Sequence, residues 1–303
     1  MKTLVITGAT GFVGRHLAAA ALNEGWAVRA LVRQPERVPR HRNMETVAWE
    51  ADKEAPSDAL RGVDAIVHAA AFVPPDLSDP VYAESCMAVN VGGTLRLLQA
   101  AERAGAPRFV YFSSASCYAP SGLPVTEDAP LYPSGRAPYY LCSKLAGEIY
   151  VAHWHKARCL STCSLRLASV YGPGMPLREV VSIFARNLSA GQEIHLHGGG
   201  RQSSDFVHVE DVARAALAAV TSTVEGALNI GGGQQITIRE LAAQMADIVG
   251  GDAHGLIREG SGTAPPSGYT GLNVGRAIRE LDFRPRPLRD GLERYLAELK
   301  ALT

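Results

Sequence analysis

Five cysteines are scattered through the 303 residues, at Cys86, Cys117, Cys142, Cys159 and Cys163. The odd count and the lack of any CxxC pair leave no disulfide framework to build on, and point to a reduced, cytoplasmic protein. Cys159 and Cys163 have no histidine at ligand spacing beside them, so packing is the expected role of both. An excess of charge of one sign is also missing. Lys+Arg and Asp+Glu both number 30, which leaves no basic footprint for a nucleic acid partner. No apolar run reaches the roughly 18 residues that a bilayer span needs, so no membrane partner is expected. The opening MKTLVITGATG lacks the charged, apolar and cleavage segments of a secretory leader. A metal is not expected either: His195 and His197 in EIHLHGGG alternate as on a strand and share a side, but no third ligand stands near them in sequence.

What the sequence does contain is alternation. KTLVIT, AVRALVR, METVAWEA, DAIVHAAA, RFVYFSS and STCSLRLASVYG are apolar runs; GFVGRHLAAAALNEG, VNVGGTLRLLQAAERAG and YYLCSKLAGEIYVAHWHKA have helical period. Continuous apolar runs read as parallel strands covered on both faces. The repeated strand-then-helix order predicts an α/β fold, a Rossmann-like doubly wound parallel sheet. After VYGPG the pattern breaks up. PLREVVSIFARNLSAGQEI reads as a helix, DFVHVEDVARAALAAV resumes core-like periodicity, and ALNIGG reads as a further strand. TIRELAAQMADIVG and LRDGLERYLAELKAL predict two more helices on either side of the Gly/Pro-rich REGSGTAPPSGY. The expected organisation is a dinucleotide-binding domain over 1–170, to which 205–232 return, with a smaller, interleaved substrate-binding domain made of 171–204 and 233–303.

TGATGFVG sets Gly8, Gly11 and Gly14 directly after the first run, at the mouth of a helix. The first glycine permits a tight turn, the second lets backbone approach a pyrophosphate, and the third lets helix pack close to strand. Phe12 and Val13 lie inside the same turn and are counted with it as cofactor candidates. The end of the second strand chooses between NAD and NADP, because an acid there bonds the ribose 2′-hydroxyl and a base accommodates a 2′-phosphate. Arg33 in ALVRQPER holds that place, with no acid before Glu36, and favours NADP. Asp52, after the third run, is placed to accept from the adenine amino group.

RAPYYLCSKLAGE carries two adjacent tyrosines ahead of a lysine. On a helix Tyr140 and Lys144 are four apart and nearly superposed, whereas Tyr139 is five away and diverges from Lys144 by about 140°. An ammonium beside a phenol favours the phenolate and lowers its pKa, so Tyr140 is expected to exchange a proton near neutrality while hydride moves at a carbinol carbon. Ser113 and Ser114 close the RFVYFSS run, at the sheet edge where α/β proteins bind ligands, and a serine there can polarise the reacting oxygen.

In this order the glycine turn, the strand-end serine and the Tyr-x-x-x-Lys helix resemble an extended short-chain dehydrogenase/reductase of the NAD-dependent epimerase/dehydratase type, nearly end to end. DAIVHAAA looks like the family's fourth strand, bringing Ala69 to the cofactor, and Asn90 in VNVGGTLRLL looks like its helix-four asparagine. LRLASVYGPG, SDFVHVEDVA and LNIGGGQQITIREL match further blocks. Alignment on Tyr118 puts the catalytic serine at Ser114, completing a triad with Tyr140 and Lys144, in which the lysine also holds the cofactor ribose. The resemblance further implies a homodimer through helices near 86–104 and 139–157, and a nucleotide-linked sugar as substrate.

Dehydratases of this type carry an Asp-Glu pair where this chain has Ala115 and Ser116, which argues against dehydration. Arg33, read as an NADP residue, puts 4-keto reduction ahead of C4 epimerisation. Related enzymes often grip the diphosphate with an arginine just before the DF of SDFVHV. Ser204 stands there, with Arg201 three residues away, while Arg258 in IREGSG resembles the second diphosphate arginine next to Ser261 in place of an aspartate. Two alternatives remain open from sequence: an NADPH-dependent reductase of a non-sugar carbonyl compound, and a non-catalytic NADP-binding sensor or assembly protein.

Overall fold

The apolar runs converge on one sheet. The computed structural model describes residues 1–133, 137–158, 160–262, 269 and 271–301; Cys159 and residues 263–268 of the Gly/Pro-rich stretch lie outside them. The strands are β1 (Thr3–Thr7), β2 (Ala27–Val32), β3 (Met44–Ala48), β4 (Ala65–His68), β5 (Arg108–Ser114) and β6 (Ser161–Leu167). The short β7 (Ser169–Tyr171), β8 (Ile194–Leu196), β9 (Ser203–Ser204) and β10 (Phe206–His208) follow, and then β11 (Gly226–Ile230), β12 (Ile236–Thr237) and β13 (Ile257–Glu259). The main sheet runs β3-β2-β1-β4-β5-β6-β11, with every neighbour parallel. Chain order reverses between β1 and β4, which makes the crevice beyond their carboxyl ends the site for a dinucleotide.

Side-chain alternation explains the unbroken apolar runs. Leu4 and Ile6 of β1 join one buried cluster with Leu17 and Ala21, while Val5 between them joins another with Leu97 and Leu98. The helices are α1 (Phe12–Asn23), a short α2 (Ala83–Ser85), α3 (Gly93–Arg103), α4 (Pro138–Arg158), α5 (Val180–Ser189) and α6 (Val209–Thr221), of which α1, α3, α4 and α6 cover these faces. The alanines at 18 and 21 of α1 and at 213 and 216 of α6 are buried in one cluster, and their small side chains let the two helices approach closely.

A third apolar cluster forms among α5, α7 (Ile238–Val249) and α9 (Leu288–Ala301), around Phe184, Leu241, Met245 and Leu292. A capping box opens α7: Thr237 accepts from the Glu240 amide, and the Glu240 carboxylate accepts from the Thr237 amide. The seven-residue α8 (Gly275–Leu281), which periodicity did not pick out, packs beside β11. The helix expected over 86–104 is not uniform. Between α2 and α3, residues Cys86–Gly92 form a π-helical stretch, a wide turn often found at functional sites. Among the described residues no helix is long and apolar enough to cross a membrane.

Candidate functional site

The glycine turn is built against the end of β4. Gly8 has φ +71°, and a Cβ on it would sit 2.8 Å from the backbone of Ala70; a Cβ on Gly14 would lie 2.1 Å from the Gly8 carbonyl oxygen. Only hydrogen fits at either place. Gly11 caps α1 without a side-chain hydrogen bond, so the free N–H groups of the first turn, which includes Phe12 and Val13, remain available to an anion. Ala69, the residue after β4, flanks Gly8. A dinucleotide pyrophosphate fits this cradle.

The other cofactor candidates surround it. Arg33 is the first residue after β2, exposed, with no hydrogen bond or ion pair among the described residues. Asp52 is exposed, its carboxylate 3.9 Å from Lys53 Nζ. Asn90 sits in the π stretch, 2% exposed. Its Oδ1 accepts from the Phe72 amide, and its Nδ2 donates to the Phe72 carbonyl and to Ser143 Oγ.

Beyond β5 and α4 lies a cavity of about 770 Å³. Ser114 and Tyr140 both line it; Ser113 and Tyr139 do not. Strand alternation turns Ser113 inward, 4% exposed, with its Oγ unpartnered, whereas Ser114 Oγ accepts from the Ser116 amide at 3.2 Å. Lys144, 3% exposed, lies deeper, its Nζ 4.2 Å from the centre of the Tyr111 ring. The electrostatics differ from the sequence expectation. Burial dominates at Tyr140 and pushes its pKa well up, with Cys117 and Cys86 acting in the same direction, because a phenolate taken out of water loses its solvation. Burial also pushes Lys144 down to about 8, against the raising effect of Cys117 and Glu148. Tyr140 is therefore a protonated phenol at neutral pH, able to donate.

The far walls of the cavity are mixed. Ser169 and Ser204 share a 2.7 Å hydrogen bond between hydroxyls and both face it. Arg178, whose Nη1 donates to the Pro75 carbonyl at 3.2 Å, is the one arginine or lysine among the described lining residues. His195 and His197 also line it. Neither diphosphate candidate is brought to the wall. Arg201 is exposed outside it, and Arg258 on β13 is held by Glu193, Nε to Oε1 2.9 Å, and by the Gly255 carbonyl.

The profile of the NAD dependent epimerase/dehydratase family matches residues 4–231. The chain belongs to the NAD-dependent epimerase/dehydratase family. A UDP-glucose 4-epimerase of Mycolicibacterium smegmatis is 34% identical over 267 residues, covering 82% of this chain and 83% of that protein. A dTDP-4-dehydro-6-deoxy-D-allose reductase of Streptomyces bikiniensis is 29% identical over 310 residues, covering 96% and 94%. The solved structure of MoeE5 in complex with UDP-glucuronic acid and NAD superposes with a TM-score of 0.87 at 29% identity, covering 99% of this chain and 100% of that one. The fold is accordingly that of an NAD-dependent enzyme family whose relatives include epimerases, dehydratases and reductases.

Within this epimerase/dehydratase fold, two features of the site escaped the sequence reading. Tyr111 was read only as one residue of an apolar strand, yet its face carries Lys144. Arg178 lies in a stretch whose sequence signals only a helix. Neither has a local signature, since each acts across a long separation in the chain.

Proposed function

We propose that the protein is an NAD(P)-dependent oxidoreductase or epimerase of a nucleotide-linked sugar, with reduction of a 4-keto group ahead of C4 epimerisation. The observation that carries this reading is that Tyr140, half-buried, faces the same cavity as Ser114. Ser114 Oγ polarises the substrate oxygen and Tyr140 gives it the proton when a carbonyl is reduced. A bound nicotinamide supplies the hydride. Lys144 holds charge beneath Tyr140 and reaches the cofactor ribose, and the open N–H groups of α1 hold the pyrophosphate. Arg33, exposed and without a partner among the described residues, is available to a 2′-phosphate and supports NADPH. The homodimer belongs to the same reading: Met87 and Ile149, both more than half exposed, stand on the segments that would pair, and light scattering of the purified protein tests it.

A second reading has its own support. The cavity wall carries paired serine hydroxyls and apolar side chains such as Leu141, Met175 and Phe184, while Arg201 and Arg258 stay outside it. That composition also suits a non-sugar carbonyl substrate of an NADPH-dependent reductase.

One experiment separates these readings. Dinucleotide released on denaturation is identified, and the emptied protein is then titrated with NADH and NADPH and assayed with UDP- and dTDP-linked sugars and their 4-keto forms. Reduction of a 4-keto sugar nucleotide with NADPH, and a tenfold or greater loss for NADPH alone in Arg33→Asp, supports the first reading. Stoichiometric bound NAD with C4 epimerisation makes the protein an epimerase, and turnover confined to non-sugar ketones establishes the second reading.

A further inference from the structure

Lys144 is almost fully buried, yet among the described residues no carboxylate forms an ion pair with it. Among the described residues, the titratable groups that act on it are these. On its own helix, Tyr140 lies one turn before it, and Glu148 one turn after it is already bound to Arg166, Oε1 to Nη2 2.5 Å. Cys117, a thiol pushed up to about 12 by burial, stays neutral. His68 on β4 is held between the Thr7 and Thr94 hydroxyls at 2.7 and 3.1 Å, and burial first, then Lys144, pushes it down to about 3. It too is neutral. What remains is the ring of Tyr111 on β5, with Lys144 Nζ 4.2 Å from its centre.

The surroundings are shaped to hold that ring. Tyr111 Oη donates to the Lys144 carbonyl at 3.3 Å. One turn on, residue 147 is glycine, and a Cβ there would come within 2.4 Å of Tyr111 Oη. The buried His68 ring lies 5.8 Å from the Tyr111 ring.

We propose that Tyr111 is a positioning residue for Lys144, its aromatic face replacing the carboxylate that would ordinarily balance a buried ammonium. The inference rests on the reading of Lys144 as a member of the reacting group. A carboxylate partner would cancel the positive field at Tyr140 and at the cofactor ribose. A ring quadrupole stabilises the ammonium while adding no negative charge, so the field survives.

The test reads the charge of Lys144 directly and needs no turnover. The chain has five lysines, so 15N-lysine NMR resolves them, and the resonance lost in Lys144→Arg identifies the one at 144. Tyr111→Phe keeps the ring, and the titration is expected to stay within about 0.3 pH unit of wild type. Tyr111→Leu removes the ring, and the midpoint is expected to fall by about one pH unit. The affinity for NADH or NADPH above pH 7 should weaken in parallel. An unchanged midpoint in Tyr111→Leu, or an equal fall in Tyr111→Phe, overturns the proposal. If the leucine variant does not fold, pentafluorophenylalanine at 111 inverts the quadrupole at nearly constant shape, and must lower the midpoint. Failure to find hydride transfer on a sugar nucleotide would overturn the functional reading and leave this titration standing.

Discussion

Asn90 Nδ2 and Ser143 Oγ are joined by a 2.8 Å hydrogen bond, and Ser143 Oγ donates onward to the Tyr140 carbonyl at 2.7 Å. The π stretch thereby holds α4 at the turn that bears Tyr140, while the Phe72 backbone is held by the same amide. Asn90→Leu keeps the branched shape, removes the acceptor of the Phe72 amide and the donor to the Phe72 carbonyl and to Ser143 Oγ, and costs about 2–4 kcal/mol. A lower urea midpoint, together with a kcat at least tenfold down, is expected. A variant as stable and active as the wild type would show that this asparagine does not set the register of Tyr140.

Gly14→Ala places a methyl group 2.1 Å from the Gly8 carbonyl oxygen. The helix must move off the strand, at about 1–3 kcal/mol by overpacking. Because the same turn forms the anion cradle, calorimetric titration with NADH and NADPH should show a loss of more than tenfold in affinity for both. Selective loss for one dinucleotide would contradict a pyrophosphate role.

Tyr140→Phe removes the proton donor and should reduce kcat by about 10²–10⁴-fold, with cofactor affinity unchanged within twofold. Tyr139→Phe, outside the cavity, should keep most activity. If steady-state kinetics found the second variant dead and the first alive, the helical register argued for this site would be wrong.

Acid should weaken the fold through His68. Its folded pKa of about 3 lies below its ordinary 6.5, so between those values the unfolded chain binds the extra proton and stability falls as pH falls. His208, pushed down to about 4 mainly by burial, acts in the same direction. Asp205, pushed up to about 6 by burial against four backbone N–H donors, opposes them between about pH 6 and 3.8. Denaturant melts of wild type and His68→Gln from pH 7.5 to 5 should show the shallower decline in the variant. Equal slopes would mean that His68 titrates alike in the folded and unfolded chain and is not pushed down.

Much of the fold and of this site was legible because its signals are local. Unbroken apolar runs such as TLVIT mark strands covered on both faces, and Val5 and Ile6 do fall into clusters on opposite sides of the sheet. The spacing of Tyr140 and Lys144 is a property of 3.6 residues per turn, and α4 keeps that period from Pro138 to Arg158. Gly8, Gly11 and Gly14 sit where a strand yields to a helix, so the chain itself supplies their context.

The charge states and the partners were decided by distance through space. The lysine one turn away predicts an acidified Tyr140, but burial contributed by several elements pushes the phenol up instead. Arg258 is held by Glu193, 65 residues earlier in the chain, and Lys144 meets Tyr111 from the opposite layer. Local periodicity decides which face a side chain takes. What that face then meets depends on how the strands are ordered and the layers stacked, and in a low-dielectric interior that meeting sets both pKa and pairing.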